Sequence, residues 1–166
     1  SLASQLNQHV TVSANSAWMA NGDNAQHDAQ AYYMGEQGNL YNVGYFYRKD
    51  ITDRQNRYDQ AIASFIQPVK DNWRIMGHAQ YDLNHKLMRE YLLGVNYESC
   101  CWAVSIYGRA YYNDLDEPNS PGVQRKQAVM AEVTLKGLGA LNNKLASLLE
   151  NKVSGFNKIN QSWTQR

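Results

Sequence analysis

Cysteine is scarce in this chain: 166 residues contain two, and those two are neighbours, Cys100 and Cys101. The four histidines, His9, His27, His78 and His85, are scattered. No HxxxH spacing or Cys/His cluster occurs, so neither a metal nor any other cofactor is expected. A nucleophile elbow, a P-loop and a dinucleotide fingerprint are also missing, and no enzymatic activity is expected. Charged residues make up only 19%, and the net charge of +1 argues against nucleic acid as a main partner. No run of 18 apolar residues exists to form a membrane-spanning helix, and the N-terminus lacks the basic and apolar regions of a signal peptide.

What the chain does have is alternation, best seen around the cysteines. Before them Tyr91, Leu93, Val95 and Tyr97 share one face, against Leu92, Gly94, Asn96 and Glu98. After them Trp102, Val104, Ile106, Gly108 and Ala110 oppose Ala103, Ser105, Tyr107 and Arg109. A period of two marks strands whose faces meet different media. The cysteines therefore fall where one strand turns into the next. Adjacent residues of an extended chain point to opposite sides and bond each other only by straining the peptide between them. Each is expected to pair with a cysteine outside this chain.

The same pattern gives eight strand candidates, near 8–19, 26–35, 39–48, 58–68, 73–82, 87–98, 101–112 and 124–136. Each has about ten residues, the length a tilted strand needs to cross a bilayer. The facing of 58–68 is open, because Ala61, Ala63 and Phe65 compete with Ile62, Ser64 and Ile66. Short connections at 35–39, 68–72 and 98–99 alternate with long polar ones at 49–57 and 113–126; 83–86 is a short exception on the long-loop rim. Aromatics gather near strand ends, with Trp18, Tyr45, Tyr47, Tyr58, Tyr81, Tyr91, Tyr111 and Tyr112 on one rim and Tyr41, Trp73, Tyr97 and Trp102 on the other. Long strands, unequal rims and two aromatic girdles together predict an all-β fold of antiparallel transmembrane β-barrel strands. The competing architecture is a soluble antiparallel barrel or sandwich. Residues 1–139 hold the strands. Residues 140–166 hold a short amphipathic helix on Leu141, Leu145, Leu148, Leu149 and Val153, with Asn142 and Asn143 as caps, and a tail.

Polar residues on the inward side of this pattern, Arg74, His78, Glu90, Arg109, Glu132 and Lys136, predict a hydrated lumen. Asp82, His85 and Ser120 offer the residue types of a membrane-barrel hydrolase near one rim, but solvated loop residues explain them better.

The stretch Leu93-Gly94-Val95-Asn96-Tyr97-Glu98-Ser99-Cys100-Cys101-Trp102-Ala103-Val104, with Leu135-Lys136-Gly137-Leu138-Gly139 some thirty residues on, resembles the C-terminal end of the LptD family. These are the lipopolysaccharide-assembly proteins of the Gram-negative outer membrane. The first ninety residues are compatible barrel sequence without specific motifs. Family barrels are of the largest class, with about 26 strands, so eight strands would be roughly the last third. The resemblance implies that Cys100 and Cys101 are joined by long-range disulfides to N-terminal cysteines, one each, in an oxidising compartment. It implies translocation of lipopolysaccharide and its insertion into the outer leaflet, without enzymatic chemistry. It further implies an LptE lipoprotein plug, an N-terminal periplasmic domain elsewhere in the parent chain, and the barrel-assembly machinery (BamA) as folding partner.

By the same resemblance the last strand, with Gln127, Val129, Met130, Ala131, Val133, Leu135 and Lys136, is one side of a lateral gate and carries the assembly signal. The chain is then a C-terminal fragment or an assembly intermediate. Two alternatives remain at this point: a complete eight-stranded outer-membrane barrel with a structural or adhesion role, and a soluble lipocalin-like lipid-binding barrel.

Overall fold

In the computed structural model of the protein the described residues are 2–18, 25–49, 57–112, 124–135, 144–154 and 156. They form one antiparallel sheet of nine strands in chain order, and a single helix. The strands are β1 (Leu2–Gln5), β2 (Val10–Trp18), β3 (Ala25–Met34), β4 (Leu40–Lys49), β5 (Arg57–Lys70), β6 (Trp73–Asp82), β7 (Leu87–Glu98), β8 (Trp102–Tyr112) and β9 (Arg125–Leu135); the helix is α1 (Lys144–Lys152). The described residues add one short strand to the eight read from the sequence. β1 has only four residues, all exposed, which is too short for a period of two to register. β2 to β9 correspond to the eight expected strands, each within about two residues at its ends.

Alternation along the strands sorts side chains into two faces. On β9, Val129, Ala131, Val133 and Leu135 are exposed while Glu132 and Thr134 are half-buried. On β7, Leu93 is exposed and Leu92 buried. The open facing of β5 resolves, since Ser64 and Ile66 are buried and Ala63 is exposed. Register carries this choice across the sheet, with Leu40 opposite Ile66, Ile66 opposite Met76 and Gly94 opposite Tyr107. Paired residues share a face, so these positions line one continuous surface.

That surface carries the helix. Leu149, Val153 and Phe156 pack on Leu40, Ile66, Met76, Leu92 and Tyr107, all nearly fully buried. Each such side chain gains roughly 1.5–3 kcal/mol over leaving it in water. A nine-residue helix is marginal alone, so this docking is what sustains α1. Lys152 in its last turn complements the helix dipole. The expected caps Asn142 and Asn143 lie outside the described residues, as does the tail from 157 onward.

Two irregularities re-aim side chains. Between Pro68 and Lys70 the register of β5 on β6 shifts, a place where proline's missing N–H does no harm. On β7, Gln80 faces Glu90 while Tyr81 faces Met88, which leaves Arg89 as an extra, bulged residue. The turn at 35–39 closes with Gly35 N donating to Asn39 O at 2.9 Å and Gly38 at φ 81°, a conformation that favours glycine.

Candidate functional site

The helix-bearing face is where the polar residues read from the sequence come together. Arg74, His78, Glu90, Arg109 and Glu132 all project from it, on β6, β7, β8 and β9. Glu90 sits at the centre of a charge cluster, accepting from Arg109 Nε at 2.8 Å and from Lys152 Nζ of α1. The Arg109 guanidinium lies 4.3 Å from the centre of the Tyr111 ring, close enough for a cation–π contact. Arg74 pairs with Glu98 and donates to Asn96 Oδ1 at 3.3 Å; Asn96 in turn donates to Ser105 Oγ at 2.8 Å. His78 is buried beside α1. A second tie holds the helix from the far side, where Ser154 Oγ donates to Gln30 Oε1 of β3 at 2.8 Å. These contacts span 62 and 124 residues of chain, so α1 braces strands far apart in sequence.

Lys152 and Arg89 are two α1-side charges that sequence reading did not single out. Lys152 reaches Glu90 only through tertiary docking. Arg89 is turned inward by the bulge, its Nε 3.4 Å from Asp82 Oδ2, with both groups buried. The same carboxylate holds the β6–β7 turn, accepting from the His85 backbone N–H at 2.9 Å and lying 3.1 Å from His85 Nδ1. Asp82 and His85 therefore organise a turn; Ser120 and Lys136 lie outside the described residues.

The cysteines differ from the extended geometry expected of them. Cys100 and Cys101 lie in a bend between β7 and β8, exposed, with their sulfurs 2.9 Å apart. A bend is not bound by strand alternation, so both side chains can point the same way. Beside them is an aromatic row on the outer face, Trp73, Tyr97 and Trp102, with ring centres 4.9 and 5.1 Å apart. It continues on β3 and β4, where Tyr33 and Tyr41 are 6.2 Å apart. At the opposite strand ends Trp18 meets His27 edge to face and His27 stacks on Tyr47, and Arg125 covers Tyr91 at 4.8 Å. Tyr58 and Tyr111 do not join this girdle. Register places Tyr58 on the α1 side with Gln60, and Tyr111 there with Glu90.

β9 ends the sheet. Among the described residues no strand pairs with its far edge. Val129 is 83% exposed on the outer face, and Met130, on the other, is 39% exposed. Gln127, Ala131, Val133 and Leu135 complete the outward row.

A row of exposed apolar side chains is usual for barrel strands that face lipid, and a backbone edge inside the bilayer needs a partner strand. No family model matches the chain. Curated relatives do, over its whole length. It is 74% identical over 166 residues to the LPS-assembly protein LptD of Acinetobacter baumannii and 69% identical over 166 residues to that of Acinetobacter baylyi. The LPS-assembly protein LptD of Psychrobacter arcticus is 39% identical over 132 residues, 79% of this chain. This chain belongs to the LptD family. It spans 20% of the length of the two Acinetobacter relatives and corresponds to their C-terminal part. The nine strands are those of an outer-membrane β-barrel, and the soluble lipocalin-like alternative falls away.

Proposed function

We propose that this chain forms part of a barrel that moves lipopolysaccharide across the outer membrane and inserts it into the outer leaflet, without enzymatic chemistry. The observation that carries the reading is the match to LPS-assembly proteins along the entire chain, joined to a last strand whose outer face is apolar and whose far edge has no partner among the described residues. Gln127, Val129, Met130, Ala131, Val133, Leu135 and Lys136 form one side of a lateral gate. An edge strand inside a membrane must find a backbone partner. The first barrel strand of the parent chain supplies it in the finished protein, and BamA supplies it during assembly.

Arg74, His78, Glu90, Arg109 and Glu132 line the wet interior through which a charged, sugar-bearing lipid passes, alongside an LptE plug. Cys100 and Cys101, exposed at the short-turn rim, each join a cysteine of the N-terminal periplasmic part. Residues 1–139 act as the barrel portion and 140–166 as a C-terminal helix and tail.

Depletion of the full-length protein in cells tests the reading. Newly made lipopolysaccharide should disappear from the cell surface and accumulate internally; undiminished surface labelling would contradict the proposal.

A further inference from the structure

The outward row of β9 changes character along its length. From Leu135 through Val133 and Ala131 to Val129 it is apolar, and it ends in Gln127 and Arg125. Leu135 stands opposite Trp102 at the short-turn rim, so Arg125 marks the other end of the apolar band. In outer-membrane barrels the short turns are periplasmic and the opposite rim faces outward. An arginine at that level sits among lipid headgroups, where a charge on the lipid face costs little.

Arg125 is exposed, yet its arm is laid across the barrel wall. The guanidinium lies 4.8 Å from the centre of the Tyr91 ring. Tyr91 belongs to β7, two strands from β9, a span of about 10 Å. Ala110 of β8 lies in between, opposite Tyr91 on one side and Gln127 on the other. Ala110 is 2% exposed, although it is not among the residues packed with α1. One place along the same outward row, a Cβ added at Gly108 would meet nothing within 4 Å. Burial of Ala110 on so open a face is what a ring and an arm meeting over it produce.

This arrangement leaves the guanidinium something to do. Stacking uses its flat face, while its N–H groups radiate in the plane. Among the described residues no carboxylate pairs with them. Two such in-plane donors match two oxygens of a phosphate, and a tyrosine is at home at the same interfacial level.

We propose that Arg125, braced on Tyr91 across Ala110, is a clamp for the phosphate of a lipid headgroup on the outer face of β7 to β9. The acyl chains of that lipid run down past Leu93, Gly108 and Val129, which stand in register on the same face. The inference rests on the lipopolysaccharide reading above, by which the clamped lipid is one that has just left the seam beside β9.

The test uses the full-length parent protein in maltoside micelles, which contain no phosphate, with the photo-reactive residue p-benzoylphenylalanine in place of Gly108. The probe lipids are lipid A, the acylated and phosphorylated sugar of lipopolysaccharide, and the same lipid freed of phosphate. Cross-linking to the phosphorylated form should exceed that to the other by about threefold or more, and Arg125→Gln should erase the difference. Tyr91→Leu should lower it by loosening the arm. Inorganic phosphate, at matched ionic strength, should leave it unchanged. Folding of each variant is checked by heat-modifiable gel mobility; should the probe at Gly108 prevent folding, the same probe at Val129, 83% exposed and opposite Gly108, takes its place. Equal cross-linking of the two lipids, an enrichment unchanged by Arg125→Gln or Tyr91→Leu in folded protein, or its loss to inorganic phosphate would each overturn the clamp. A failed clamp in a protein whose depletion still removes surface lipopolysaccharide overturns the clamp alone; normal surface lipopolysaccharide after depletion overturns the transport reading.

Discussion

Gly94 and Gly108 show how differently the two faces of this sheet treat a single added atom. A Cβ on Gly94 would lie 2.7 Å from Tyr107 Cβ and 3.1 Å from Ile106 O, whereas one on Gly108 would meet nothing within 4 Å. The inner face is packed by Tyr107; the outer face at Gly108 is open. Gly94→Ala should therefore cost about 1–3 kcal/mol through overpacking. Gly108→Ala should be neutral or gain up to about 1 kcal/mol by relieving glycine's entropy. Urea titration of the full-length barrel in lipid vesicles measures both, and equal costs would mean the facing is wrong. Ile106, near the middle of β8 and exposed on the outer face, offers the complementary test: Ile106→Arg should cost roughly 2–4 kcal/mol if it meets the bilayer midplane. At this scale the sequence was legible wherever one face was apolar and the other polar. It was silent at β5, where both candidate faces carry apolar side chains, and at Arg89, where a bulge reverses the expected side.

At the scale of elements, the β-strands announce themselves and their interruptions do not. Eight strands were visible because alternation persists over nine or more residues in each. β1 was invisible because four residues cannot establish a period. The turn at the cysteines was legible, but Cys101 was read as the first strand residue when it lies in the bend with Cys100. Leucine spacing foretold α1, but its seat could not be read, since Lys152 and Ser154 find partners 62 and 124 residues away. Removing that seat has a definite consequence. Phe156→Ala with Val153→Ala should remove several kcal/mol of docking, given about 3–5 kcal/mol for a buried Phe→Ala change. Limited proteolysis should then cut within 144–156 while the strands stay protected. Resistance equal to wild type would mean that other contacts hold the helix. Lys152→Met should loosen the same segment less, because Glu90 keeps Arg109.

At the scale of the whole, the described residues form one sheet whose terminal strands, β1 and β9, each have a single partner among the described residues, and the chain spans 20% of the length of its Acinetobacter relatives. Family membership supplies the larger object. The cysteines supply a check on how the parts are joined: in the oxidised full-length protein, changing Cys100 or Cys101 singly should leave one link to the N-terminal part on non-reducing gels, and changing both should leave none. A native bond between the two neighbours would contradict that. The central claim, however, concerns β9. With Ala131→Cys in β9 and a facing cysteine in the first barrel strand of the parent, oxidation should cross-link the seam. Newly made lipopolysaccharide should then fail to reach the surface of cells whose barrels remain folded, and reduction should restore it. Unimpaired export through a fully cross-linked seam would show that β9 only closes the barrel and is not a gate.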